Sequence, residues 1–356
     1  MNLSKLRYVA MAMLCLNLCT SCEDEEEVNT DPMNLGEGKV YVIGHKNPDT
    51  DAVTSAMAYA NLLRQLGYDC EARVAGALNK ETSFIMDTFR LQAPELMSNA
   101  AGQRIILVDH SEYIQAVDGL KDAKILKVVD NHKLGSVTNA LSYDTVSTAG
   151  STCTIVYYLY KNNNVTIDPT MARIMLAGIL SDTGNLKQAK SFKKDSTAVD
   201  ALISIAGINM TDSLFYTRMH SFADDFSGMT DNEIFESDYK GYEHAGYKYG
   251  VAAVDVTYDV ELADMRARMS NVMESYLTDN GLDLLFCKMD ADTIDCSTIF
   301  YVGKDAETIA EKAFLNMGID GVTSEKKDGY ILVTPHISRK TVVTPQIDKV
   351  LDTMTK

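Results

Sequence analysis

Aspartate and histidine recur in four short clusters: Gly44-His45-Lys46-Asn47-Pro48-Asp49-Thr50-Asp51, Val108-Asp109-His110-Ser111-Glu112, Val129-Asp130-Asn131-His132-Lys133 and Ser181-Asp182-Thr183. Carboxylates and imidazoles with no cysteine among them suit Mn²⁺, Mg²⁺ or Co²⁺ better than a thiolate-bound metal. Taken singly, each cluster has a plainer explanation. An Asp-x-Asp in a loop is ordinary turn chemistry, and Ser-Asp-Thr is a common helix cap. The four in order along one chain make a coordination centre only if the fold brings their loops together. A fifth feature is Ser338-Arg339-Lys340-Thr341-Val342-Val343. Two adjacent bases are usually solvated surface, but Arg can grip a phosphate bidentately and Lys adds a point charge.

The elements needed for that convergence are readable. Apolar runs at Val40–Ile43, Arg104–Val108 and Ile125–Val129 predict buried strands, and each of the first three clusters begins where one of these ends. Helical spacing predicts helices over Ala52–Leu66, Ser151–Tyr160 and Met171–Leu180. Strands alternating with helices predict an α/β fold, a mostly parallel sheet with helices on both faces. Ligand sites in such sheets form at the carboxyl ends of strands, where these clusters lie. A polar, acidic stretch around Asp224–Asn232 reads as a linker. After it, a strand at Tyr249–Val256, a helix near 260–280, a hairpin over 282–302, a helix at 305–317 and a strand at Tyr330–Thr334 predict a smaller mixed α/β unit. The expected domains are therefore 39–225 and 226–356.

The N-terminus differs in kind. Lys5 and Arg7 precede an apolar run, Tyr8 to Leu18, too short to span a bilayer. Cys19-Thr20-Ser21-Cys22 follows, then five consecutive acidic residues, Glu23 to Glu27. Small residues before a cysteine resemble a bacterial lipoprotein cleavage box, with Cys19 where that box usually carries an aliphatic residue. The expectation is a signal peptide over 1–22, a lipid on Cys22 as the sole membrane attachment, and an acidic tether over 23–38. The chain is then exported to the cell envelope, at the outer membrane, with periplasmic and outward-facing orientations both open. In an exported chain disulfides can persist. A two-residue turn at Ala291-Asp292 would set Cys287 opposite Cys296 in a cross-strand bond, and two buried thiols are the alternative. The formal charge of −17 argues against nucleic acid as a partner and leaves an anionic substrate dependent on bound cations or local bases. Oligomeric state stays open, a homodimer being one option.

The clusters resemble the four motifs of the DHH phosphoesterase superfamily, and specifically its manganese-dependent, class-two inorganic pyrophosphatases. GHKNPDTDAV is similar to the first motif, VDHSE to the second, VVDNHK to the third, LSDT to the fourth, and SRK to a C-terminal motif in a domain that closes over the first. The likeness runs from about Lys39 to the end of the chain. It implies a two-metal centre, most readily of Mn²⁺, with Co²⁺ or Mg²⁺ as options. One ion would take His45, Asp49, Asp109 and Asp182. The other would take Asp51, Asp109, Asp182 and a third-motif residue. A water shared by the ions would attack pyrophosphate, with His132 as acid or hydrogen-bond donor and Arg339 and Lys340 on phosphate.

Two positions depart from the pattern. The third motif normally reads Asp-His-His, and here Asn131 stands where the second ion expects imidazole. That leaves open a loosely held second ion, a shift toward polyphosphate or another small phosphoester, or a binding protein without turnover. The family also places a lysine near the domain hinge, and Tyr216 to Phe226 offers only Arg218 and His220.

Overall fold

The computed structural model describes residues 31, 33–187, 192–208, 214–222, 225–256, 259–291 and 294–354. The expected signal peptide, Cys22 and the tether up to residue 30 lie outside the described residues. The chain divides into a short N-terminal unit ending at Glu37 and a compact unit from Gly38 to Lys356. In the first, the Asp31 carboxylate accepts from the Leu35 and Gly36 amides, closing a turn.

The first half of the larger unit is built on six parallel strands. In chain order they are β1 (Val40–Ile43), β2 (Cys70–Val74), β3 (Glu95–Leu96), β4 (Arg104–Val108), β5 (Lys124–Asp130) and β6 (Ser142–Thr145), set side by side as β3-β2-β1-β4-β5-β6. The reversal of order between β1 and β4 opens the crevice where such sheets bind ligands. Helix α1 (Thr50–Gln65) begins just after β1. Asp49 starts it, its carboxylate accepting from the Ala52 amide at 2.9 Å, so one end of the first motif is fixed by helix capping. Helix α2 (Lys80–Thr88) follows β2. After β6 come α3 (Thr152–Asn162), α4 (Pro169–Thr183), α5 (Lys193–Ala206) and α6 (Leu214–His220). Helices α3 and α4 pack on α1. The opposite face buries Ile43, Ile105, Leu107, Ile125 and Val128 against Ala116, Val117 and Leu120, which come from a segment with two 3₁₀ turns.

The second half carries a mixed six-stranded sheet. Helix α7 (Asp231–Glu236) leads into β7 (Tyr239–His244), β8 (Tyr247–Val256), α8 (Asp259–Asp279), β9 (Leu284–Ala291), β10 (Ile294–Gly303), α9 (Ala306–Phe314), β11 (Thr323–Lys327), β12 (Tyr330–Thr334) and α10 (Thr344–Leu351). The order is β11-β12-β10-β9-β8-β7, parallel only between β8 and β9. Period-two alternation gives each face its own core. Tyr249, Val251 and Phe286 pack on Ile309, Phe314 and Ile347, while Val254, Leu285 and Cys287 pack on Met265, Met269 and Met273. This sheet equals the first in strand number, and α7 and β7 begin inside or directly after the stretch read as linker.

Of the two alternatives for Cys287 and Cys296, the cross-strand disulfide is not formed. Cys287 pairs with Phe300 in the β9–β10 ladder, a bulge between Ile294 and Ser297 shifts the register, and both cysteines are free thiols. Among the described residues, no helix is long and apolar enough to cross a membrane.

Candidate metal centre

The four clusters meet. Donor atoms of His45, Asp49 and Asp109 lie within 4.8 Å of one another, as do those of Asp51, Asp109 and Asp182, and those of Asp109, Asp130 and His132. Asp109 is common to all three sets. It follows the last residue of β4 and sits at φ +61°, a left-handed conformation that costs a non-glycine residue energy and is kept where function demands a particular side-chain direction. Its Oδ2 is buried without a hydrogen bond, and His45 Nε2 stands 3.4 Å away.

The supporting contacts fix each carboxylate from a different element. Asp51 reaches from α1 to the start of α3, where its oxygens accept from Ser151 Oγ and the Thr152 amide at 2.6 Å each and from the Cys153 amide at 3.0 Å. A carboxylate at that helix N-terminus meets amides that have no partner within the helix. Asp182 lies in the last turn of α4, the end at which a negative charge is disfavoured unless a cation answers it. The approach of α4 to the site depends on Gly178. A Cβ there would fall 2.6 Å from Thr54 Oγ1, 2.7 Å from Cys153 Sγ and 3.0 Å from Asp51 Oδ1.

Asn131, on the loop after β5, also points into the centre. Its Nδ2 donates to the Ala149 carbonyl, which leaves Oδ1 facing Thr152 Oγ1 at 3.2 Å. That hydroxyl also lies 3.1 Å from Asp109 Oδ1, so the amide oxygen is held beside the shared carboxylate. An amide oxygen is a serviceable donor for a hard cation and a weaker one than imidazole for a transition ion. His132 is oriented by Asp130, whose Oδ1 accepts from both the His132 amide at 2.9 Å and Nδ1 at 2.8 Å. The second Asp130 oxygen accepts from Ser111. Nδ1 is thereby committed to Asp130.

Two residues near the centre were not singled out in the sequence. Lys240, on β7, is buried with Nζ 3.4 Å from Asp49 Oδ2. It comes from beyond the Tyr216 to Phe226 segment in which a hinge-side lysine was expected. His110 is buried beside His45, with Nδ1 at 2.9 Å from the Val108 carbonyl, and burial and the charge of His45 push it down to about 4.

Arg339 and Lys340 open a π-helical turn, Arg339–Val343, after a loop pinned by the His336 amide to Asp295 and by the Ile337 amide to Ser297. They diverge. Lys340 lines a cavity of about 360 Å³, together with His132 and Lys240. Arg339 does not line it and instead donates to the Asp238 carbonyl and, at 2.6 Å, to the Asp238 carboxylate. Through these bonds Arg339 ties the segment after β12 to the start of β7, two residues from Lys240. The cavity lies between the two sheets, where Gln115 also donates to the Gly241 carbonyl and Asn47 to the Tyr239 carbonyl.

The electrostatics fit cations. Burial, and then Asp109 and Asp182, push the Asp51 carboxyl well above its ordinary range. Burial works against Asp49 too, but Lys240 and His45 hold it well below that range. Burial and Lys240 depress His45, yet Asp49 and Asp109 outweigh them and raise it to about 9. Burial also opposes the Lys240 charge, and Asp49 with Asp109 overcome it, so Lys240 stays protonated across the working range. Five carboxylates gathered beside one ammonium group and two imidazoles are answered most simply by divalent ions. With His45 raised to about 9, the metal-free site holds a proton that an incoming cation must displace. Apparent Mn²⁺ affinity should therefore tighten by up to about tenfold per pH unit as pH rises toward 9 and level off above it. Calorimetric titration in buffers of different ionisation enthalpy reads both the slope and the released proton; an affinity independent of pH between 6 and 9 contradicts this assignment.

Fold and site define a two-domain α/β protein with a carboxylate–imidazole centre for divalent cations at the cleft between its sheets. The N-terminal domain of the DHH family matches residues 39–179, and the DHHA2 domain matches residues 217–349. A manganese-dependent inorganic pyrophosphatase of Methanothrix thermoacetophila is 35% identical over 278 residues, 77% of this chain and 89% of that protein. A relative assigned the same activity in an Exiguobacterium species is 34% identical over 297 residues, 81% of this chain and 95% of its own. A Methanococcus jannaschii structure assigned to the family II inorganic pyrophosphatases superposes with a TM-score of 0.78 at 29% identity, covering 88% of this chain and 99% of that one. The chain belongs to the family of manganese-dependent inorganic pyrophosphatases.

Proposed function

We propose that the chain hydrolyses inorganic pyrophosphate to two phosphates, using two divalent cations, Mn²⁺ foremost. The observation that carries this is the pair of donor sets, His45/Asp49/Asp109 and Asp51/Asp109/Asp182, sharing one carboxylate near a cavity lined by Lys240, Lys340 and His132. Two such cations, when bound, would supply an acidified water and neutralise charge on the phosphoryl oxygens. The chain's own groups do the rest. Lys240 and Lys340 hold the pyrophosphate oxygens, offsetting the repulsion of a chain at −17. His132, locked by Asp130 through Nδ1, presents Nε2 to the bridging or leaving oxygen and delivers a proton there as the bond breaks. Arg339, through Asp238, keeps Lys240 at the metal end of the cavity. Asn131 completes the second donor set through Oδ1, and its hydrogen bond to Ala149 favours that orientation over the flipped amide.

The test is phosphate release by residues 39–356 over a panel of divalent ions, with pyrophosphate as substrate. Mn²⁺- or Co²⁺-stimulated turnover supports the reading, and no release with any divalent ion overturns it. Anchoring is a separate part of the proposal: lipid on Cys22 holds the enzyme at the envelope, as the cleavage-box residues suggest. Labelled palmitate should enter the full-length chain in a bacterial host, and Cys22→Ala should lose the label and move to the soluble fraction. Label-free parent protein would end the anchoring proposal.

A further inference from the structure

The cleft is chemically polarised along its length. At the metal end stand Lys240, 3.4 Å from Asp49, and His132, 3.6 Å from Asp109. Strand β7 carries the wall away from that end at roughly 3.3 Å per residue, so Glu243 and His244 lie on the order of 10 Å further out than Lys240. Here the sign of the lining changes. Glu112, Glu243 and Asp348 all line this end, contributed by the second-motif loop, by β7 and by α10. They are close enough to act on one another, because Asp348 and Glu243 add to burial in raising the Glu112 carboxyl.

Three basic side chains at this end, Lys133, His244 and Lys248, are already engaged. Lys133 Nζ lies 3.5 Å from Asp348 Oδ2, an ion pair that spans the cleft from the third-motif loop to α10. His244 sits between Asp348 and Asp352, at 3.7 and 2.8 Å, and Lys248 stands 3.8 Å from Glu243. Tyr249 donates to Asp348 at 2.8 Å and holds it in place. The Glu112 carboxylate is fixed by the Ser136 amide and hydroxyl at 3.0 and 2.6 Å. These are anchored negative groups lining the same cavity as Lys240 and His132.

Resting on the pyrophosphatase reading of the same site, we propose that Glu112, Glu243 and Asp348 form a carboxylate collar that limits the substrate to two phosphates. The cation-lined end accepts pyrophosphate, and the collar repels the third phosphate of tripolyphosphate. Selection then works by like-charge juxtaposition rather than by cavity volume.

The experiment compares kcat/KM for pyrophosphate and tripolyphosphate at fixed Mn²⁺ in the parent chain, in Asp348→Asn, in Glu243→Gln and in the double variant. Asn keeps an acceptor for Tyr249, and Glu243 is an exposed strand position, so at least one variant retains the fold. The tripolyphosphate-to-pyrophosphate ratio should rise several-fold in each single variant and about tenfold in the double. In the parent the same ratio should rise with added KCl, as screening weakens the collar. Pyrophosphate turnover with ratios unchanged in all variants overturns the collar and leaves the pyrophosphatase reading standing. A parent chain that hydrolyses tripolyphosphate as readily as pyrophosphate also overturns the collar. Absence of release from either compound overturns the hydrolase reading and the collar together.

Discussion

Asp109→Ala should reduce phosphate release from pyrophosphate by about 10³-fold or more, with manganese content falling in parallel. The size follows from position. Asp109 is the one residue in all three donor sets, so its loss removes a ligand from each instead of trimming one. It also leaves His45 Nε2 without the carboxylate 3.4 Å away, which lowers the charge that draws a cation inward. The left-handed backbone at φ +61° complicates alanine, because that conformation is tolerated better by Asn or Asp. Asp109→Asn is therefore the informative companion: it keeps the shape and backbone preference and removes only the charge. Both variants should show unchanged far-ultraviolet circular dichroism and lose activity. Activity within about tenfold of the parent in Asp109→Asn would contradict the central role assigned to this carboxylate.

The second large effect is expected at Lys240. Lys240→Met keeps length and buried volume and removes the charge, and it should raise KM for pyrophosphate by about 10²-fold, since truncating one partner of a buried charge pair costs several kcal/mol. The same change uncovers Asp49, whose carboxyl is now held down by Lys240 and His45, so burial should move it back toward protonation. Activity should then fall more steeply on the acidic side in Lys240→Met than in the parent. Lys240→Arg should recover only part of the loss, because a planar guanidinium does not fit the position of a compact ammonium group. Steady-state rates from pH 5 to 9 check both claims, and an unchanged KM would remove Lys240 from the substrate site.

How much of this was readable beforehand depends on the range over which each residue is placed. The first motif was legible because its order is local. An apolar strand, a turn and an N-cap aspartate fix Asp49 and Asp51 within a dozen residues, and the structure starts α1 at Thr50. The second and third motifs were legible for the same reason, each beginning at the end of a buried strand. Lys240 was not, because it reaches Asp49 across 191 residues through the packing of β7 on the first-half loops. A local signal for β7 was nevertheless present. Ala245 and Gly246 both take positive φ, a two-residue turn joining the alternating segments Tyr239–His244 and Tyr247–Val256. Arg339 was placed near the site by its motif, but its partner was not foreseeable, since Asp238 is 101 residues away and no spacing encodes the pair. The disulfide alternative for Cys287 and Cys296 fails on register: Ala291 pairs with Ile294, past the assumed turn, and a bulge shifts the pairing further. Asn131 was legible as a departure. Its orientation, set by Ala149 and Thr152, required the fold.

Anomalous diffraction at the manganese edge from crystals of the Mn²⁺-loaded chain tests the whole account most directly. Two peaks should appear, one beside His45 and Asp49 and the other beside Asp51 and Asn131, with Asp109 contacting both. Full manganese loading with no peak at Asp109, or with both ions bound elsewhere on the acidic surface, would contradict it.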